Sequence, residues 1–140
     1  MSPTFEVLKE ADVIFICVPT PLRKSKEPDI SHILAATQEI KRYMQPGQLI
    51  ILESTTYPGT TDEIVLPLLS ESGYVLEQDF LLVFSPERID PGNRNYSLAN
   101  IPKVTGGVTP RSGQLADLLY QNIVKQTHVV SSSKVAETIK

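Results

Sequence analysis

The sequence contains a single cysteine, Cys17, in 140 residues. That excludes an internal disulfide and any multi-cysteine metal site, and it fits a reducing compartment. No apolar stretch approaches the roughly 20 residues that span a bilayer; the longest run is Val13 to Val18. There is no basic block, and 13 Lys+Arg against 16 Asp+Glu leave a formal net charge of -3. The electrostatic footprint of a nucleic-acid binder is therefore missing. Met1 to Asp12 carries Glu6, Lys9, Glu10 and Asp12 where a secretory leader needs an apolar segment. His32 and His128 have no companions at metal-ligand spacing, so no metal site is expected. The expectation is a cytoplasmic protein with neither a membrane nor nucleic acid as partner.

Proline, in contrast, is abundant: 11 in 140 residues, above the usual share of about 5%. The hydrophobic fraction of 41% is ordinary for a globular domain with one core. From Ala11 onward, short apolar runs alternate with stretches of helical period, which predicts βαβ units and a parallel sheet. Val13 to Val18 is unbroken, as for a strand covered on both faces, and places Cys17 as a small buried hydrophobe. Leu49 to Leu52, Phe80 to Phe84, Lys103 to Thr105 and Thr127 to Val130 supply further strands. Between them, Ser31 is the expected N-cap of a helix ending at Pro46-Gly47. Thr60 and Glu63 form a capping-box pattern for a helix that Pro67 kinks or shortens. Thr109 and Pro110 open a third helix, with Leu115, Leu118, Leu119 and Ile123 as its expected buried stripe. Ser131-Ser132-Ser133 opens a last one at Lys134.

Ligands of open parallel sheets bind outside the carboxyl ends of the strands. The prolines gather at three such ends: Val18-Pro19-Thr20-Pro21, Glu53-Ser54-Thr55-Thr56-Tyr57-Pro58-Gly59-Thr60-Thr61 and Ser85-Pro86-Glu87-Arg88. Proline fixes φ, so hydroxyls and carboxylates beside it are held in place.

These stretches, together with Ser132-Ser133-Lys134-Val135-Ala136-Glu137 and Lys140, resemble the nucleotide-sugar 6-dehydrogenases in order and separation from about Val7 to Lys140. That family oxidises the C6 alcohol of a UDP-sugar to a carboxylate with NAD, for polysaccharide biosynthesis. The Glu53 to Gly59 stretch with Asp90-Pro91-Gly92-Asn93 is most similar to the UDP-N-acetylglucosamine branch; UDP-glucose and UDP-N-acetylmannosamine are the alternative substrates, and a non-catalytic α/β binding module is the alternative role. The resemblance implies that Pro19 and Thr20 lie beside the nicotinamide, and that Thr55 positions cofactor and water. It implies that Glu87 assists water attack and that Lys140 steadies an oxyanion. The position four residues after Glu87, glutamate in much of the family, is Pro91 here.

The family's Gly-x-Gly-x-x-Gly turn and its Gly-rich cysteine segment are both missing from the sequence. The resemblance thus implies a Rossmann-like parallel sheet with flanking helices that is the C-terminal half of a cofactor domain over 1–133. Residues 134–140 then begin a central helix through which family members form homo-oligomers. On this reading the isolated chain is inactive, and the first strand, cut from its neighbour, is an exposed edge that promotes self-association.

Overall fold

The computed structural model describes residues 4–23, 27–87 and 101–139. A 3-10 turn, Phe5–Glu10, precedes β1, Val13–Ile16. Then follow α1 (Ser31–Tyr43), β2 (Gln48–Leu52), a π-helical turn (Thr60–Val65) that runs into α2 (Leu66–Ser70), and β3 (Phe80–Phe84). The chain continues with β4 (Lys103–Gly107), α3 (Pro110–Tyr120), β5 (Thr127–Val130) and α4 (Ser133–Thr138). None of the described helices is long and apolar enough to cross a membrane.

The strands form one sheet in the order β1-β2-β3-β4-β5. β1, β2 and β3 are parallel, but β4 pairs antiparallel with β3 and β5 parallel with β4. The sheet is therefore mixed, which corrects the expectation of a wholly parallel one. Parallel neighbours need a crossover, usually helical, and the Asn-rich sequence between β3 and β4 has no helical period to supply it.

Alternation along the strands divides the core in two. Ile14, Ile50, Leu52, Phe80, Leu82 and Phe84 face α1, the π-helical turn, α2 and α4, where Ile33, Ile40, Val65, Leu69 and Ala136 meet them. Leu49, Ile51, Leu81 and Val83 face α3 through Ala116 and Tyr120. One helix cannot cover that second face, so β1 at the sheet edge is half open and Phe15 is 44% exposed. The expectation that both faces of this strand are covered is thus corrected.

Helix starts follow local chemistry, with corrections. Ser31 is the first helical residue rather than the cap; Asp29 Oδ1 accepts its N–H at 3.0 Å. The Ser31 amide and the Arg23 guanidinium, in that order, hold the Asp29 carboxyl below its ordinary range. Thr109 caps α3 as expected, accepting from Ser112 N at 3.2 Å. Pro67 is the second residue of α2, which the π-helical turn enters without a break, so its missing N–H falls where the ladder changes from π to α spacing. Thr60 makes no capping box, because Gly59 is the N-cap residue and φ there is 95°. A left-handed backbone of that kind suits glycine.

Candidate functional site

The parallel strands β1, β2 and β3 end on the same edge of the sheet, and their following loops border an open cavity of about 500 Å³ lined by Cys17, Val18, Pro19, Thr20, Glu53, Ser54, Thr55 and Glu87. Four expected site residues, Pro19, Thr20, Thr55 and Glu87, thus meet in one place. Lys140, Arg88 and Asp90-Pro91-Gly92-Asn93 lie outside the described residues.

The loops are tied together below the cavity. Ser54 Oγ accepts from Val18 N at 2.8 Å and donates to Ile16 O at 3.2 Å, joining the end of β2 to the end of β1. Ser85 Oγ donates to Val104 O at 2.7 Å, joining β3 to β4.

The reversal of β4 has a chemical consequence. Antiparallel pairing carries its first residue, Lys103, to the edge where β3 ends. Lys103 Nζ lies 2.8 Å from Glu53 Oε1 and 3.7 Å from Glu87 Oε2. It also sits 5.1 Å from the centre of the Tyr120 ring. Tyr120 Oη donates to the same Glu53 Oε1 at 2.5 Å. Burial, followed by that bond to Glu53, pushes the phenol well above its ordinary range, so it stays protonated as a donor. Glu53 and Lys103 side chains are only 16% and 12% exposed, against 45% for Glu87. Pairs of low exposure contribute little net stability but hold geometry: one cation is bracketed by two carboxylates, both of which line the cavity. Sequence reading missed Lys103 and Tyr120, since the antiparallel pairing that brings Lys103 in is not specified by the residues around it.

Cys17 is not the buried residue expected. β1 ends at Ile16, and the thiol is exposed on the cavity wall, 3.5 Å from Glu53 Oε2 as its donor. Burial around the sulfur and the adjacent Glu53 charge raise its pKa to about 11, which leaves it protonated at neutral pH and a poor nucleophile.

Glu137, within one of the sequence stretches but given no role there, is 4% exposed. Its carboxylate accepts from Gly59 N, Thr61 N and Thr61 Oγ1 at the start of the π-helical turn. Burial pushes its pKa upward, against the pull of those donors.

A cavity among strand-end loops is where α/β proteins with open sheets bind their ligands. Residues 2–124 match the family model of the UDP-glucose/GDP-mannose dehydrogenase family, NAD binding domain, and the chain belongs to that family. It is 40% identical over 144 residues to a UDP-N-acetyl-D-glucosamine 6-dehydrogenase of Pseudomonas aeruginosa, covering all of this chain and 34% of the relative. Identity to the enzyme of that name from Salmonella typhi is 39% over 137 residues, covering 96% of this chain and 32% of the relative. Among solved structures, a UDP-D-ManNAc dehydrogenase from Pyrococcus horikoshii superposes with a TM-score of 0.91 at 34% identity, over 99% of this chain and 33% of that one. The chain therefore spans about a third of the length of these relatives.

Proposed function

We propose that this chain is the second half of the NAD-binding domain of a UDP-sugar 6-dehydrogenase that acts on UDP-N-acetylglucosamine. Residues 1–133 belong to that half, and 134–140 begin the helix that follows and through which the protein forms a homo-oligomer. The observation that carries this reading is the convergence of Thr20, Thr55 and Glu87, from three separate strand ends, on one cavity. The relatives at 40% and 39% identity favour the N-acetylglucosamine branch; relatives named for UDP-N-acetyl-D-mannosamine stand at 35%. The half-domain reading is supported by β1, which has β2 as its neighbour on one side, leaves Phe15 exposed and presents Val13 to a cavity bordered by Leu115, Leu118 and Leu119.

The residues fit the nicotinamide end of NAD: the cavity is open, has hydroxyl groups at Thr20 and Thr55, and is stiffened by Pro19. No Gly-x-Gly-x-x-Gly occurs in the sequence, so the pyrophosphate is held by residues outside this chain. When bound, NAD accepts the hydride lost from C6. Pro19 and Thr20 would hold the ring at the end of β1, and Thr55 would position the cofactor and a water by hydrogen bonding. Glu87, kept near Lys103, takes a proton from that water. Lys140 supplies the positive charge that steadies a developing oxyanion. Passing from aldehyde to carboxylate through a cysteine-bound intermediate, as the family resemblance implies, needs a thiolate, and Cys17 with a pKa of about 11 does not supply it.

A panel of UDP-N-acetylglucosamine, UDP-N-acetylmannosamine and UDP-glucose offered to the full-length protein tests the assignment. We expect kcat/KM for UDP-N-acetylglucosamine to lead by roughly tenfold or more, a discrimination of about 1.4 kcal/mol. Preference for either other sugar reassigns the substrate. Robust NAD reduction by the isolated 140-residue chain would refute the half-domain reading.

A further inference from the structure

The loop that carries Thr55 is anchored at both ends by residues distant in sequence. At its start, Ser54 is bonded to Val18 N and Ile16 O. At its far end, Glu137 of α4 accepts Gly59 N at 2.5 Å on Oε2, and Thr61 N at 2.8 Å and Thr61 Oγ1 at 2.6 Å on Oε1. Between the anchors, Thr56 Oγ1 donates to Thr60 Oγ1 at 2.5 Å and Thr60 Oγ1 to Tyr57 O at 2.8 Å. Thr55 is thus suspended between a fixed start and a segment whose position is set from α4.

The chemistry of the second anchor is specific. The first amides of a helical segment lack partners in the chain's own ladder, and a carboxylate is the strongest acceptor for them. Three donors converge here on two oxygens, a demand that only an acceptor-only group meets. A glutamine would turn its NH2 group toward one of the donors. α4 is itself fixed: a Cβ on Gly106 of β4 would collide with Ser132 O and lie 2.6 Å from Ala136 Cβ. The helix therefore rests directly on the sheet backbone, and its first turn is capped by Ser132 Oγ, which accepts from Val135 N at 3.3 Å.

We infer that Glu137 is a positioning residue for the strand-end site: through Gly59 and Thr61 it sets the loop that presents Thr55 to the cavity, and it couples that loop to α4. This rests on the reading of Thr55 as a reaction-centre residue. A purely structural attachment of α4 exists beside it for comparison. Lys134 Nζ pairs with Glu63 at 2.6 Å and Asp62 at 3.6 Å on the exposed side of the same contact.

The test compares Glu137→Gln with Lys134→Ala in the full-length protein, measuring kcat, KM for NAD, thermal midpoint and amide exchange over residues 53–61. Small displacements of catalytic groups cost large factors in rate. We expect Glu137→Gln to lower kcat by roughly tenfold or more with KM changed less than about twofold, and to speed exchange at Gly59 and Thr61. Lys134→Ala should leave kcat within about twofold. Unchanged kcat in Glu137→Gln, whatever its thermal midpoint, overturns the positioning role. Should Glu137→Gln fail to fold, Thr61→Val removes one donor at constant shape, and a drop of several-fold in kcat with KM retained is then required. If the unmutated protein oxidises no UDP-sugar, the functional reading alone fails; exchange at Gly59 and Thr61 unchanged by Glu137→Gln then overturns the anchoring itself.

Discussion

Cys17 shows how much one residue's chemistry depends on where a strand stops. Its neighbours Ile16 and Val18 suggest a buried thiol, but β1 ends at Ile16 and the sulfur reaches the cavity beside Glu53. Partial burial and the carboxylate disfavour the thiolate, placing the pKa at about 11 against an ordinary 9.0. Two units correspond to roughly a hundredfold less thiolate at neutral pH. Alkylation of Cys17 should accordingly be about a hundredfold slower at pH 7.5 than that of an unperturbed thiol, rising with a midpoint near 11. A midpoint at or below 9 in a pH series of alkylation rates contradicts this environment. That Thr20, Thr55 and Glu87 meet at one cavity was legible because proline-stiffened strand ends mark where ligand loops converge; the roles given to them rest on the family resemblance. Lys103 and Tyr120 were not, because their partner Glu53 is 50 and 67 residues away, respectively, and nothing local announces either contact.

At the scale of the element, α3 is the instructive case. Helical periodicity selects Leu115, Leu118, Leu119 and Ile123 for the core, yet Leu115, Leu118 and Ile123 are 43%, 59% and 48% exposed. The face that packs is Ser112, Gly113, Ala116 and Tyr120. Small residues win because the helix lies almost on the sheet backbone: a Cβ on Gly107 would collide with Gly113 N and Thr109 O. Pattern reading weighs hydrophobicity and cannot see that close approach, whereas the Thr109 cap depends on residues three apart and is readable locally. Gly107→Ala must push α3 away from β4, and overpacking of this kind costs about 1–3 kcal/mol. Urea denaturation of the variant should show that loss with an unchanged m-value; a loss below about 0.5 kcal/mol would mean that the helix moves freely.

Among the described residues, one sheet face is well covered, whereas α3 packs on the other from β5 across to β2 and leaves β1 half open. The open side, with Phe15 and the exposed leucines of α3, follows from the sheet order, which places β1 at the edge. An apolar edge strand templates pairing with another chain. The isolated chain should therefore self-associate, and Phe15→Lys should shift it toward monomer in sedimentation velocity; a monodisperse monomer at high concentration without the substitution counts against the open-edge account. The class of fold was legible from alternating strand and helix patterns, but the direction of β4 was not, because the irregular sequence before it does not fix which way the strand runs. That reversal brings Lys103 to the strand-end cavity, and so the site is a property of the complete sheet.

The central claim, that this cavity is the nicotinamide side of a UDP-sugar 6-dehydrogenase site, is tested most directly by reaction stoichiometry. Oxidation of a C6 alcohol to a carboxylate removes two hydrides. Purified full-length protein given limiting UDP-N-acetylglucosamine and excess NAD should form two NADH per sugar and a uronate product, and Thr55→Ala should slow that reaction by roughly a hundredfold. No sugar-dependent NADH, or one NADH with an aldehyde as the final product, would contradict the account.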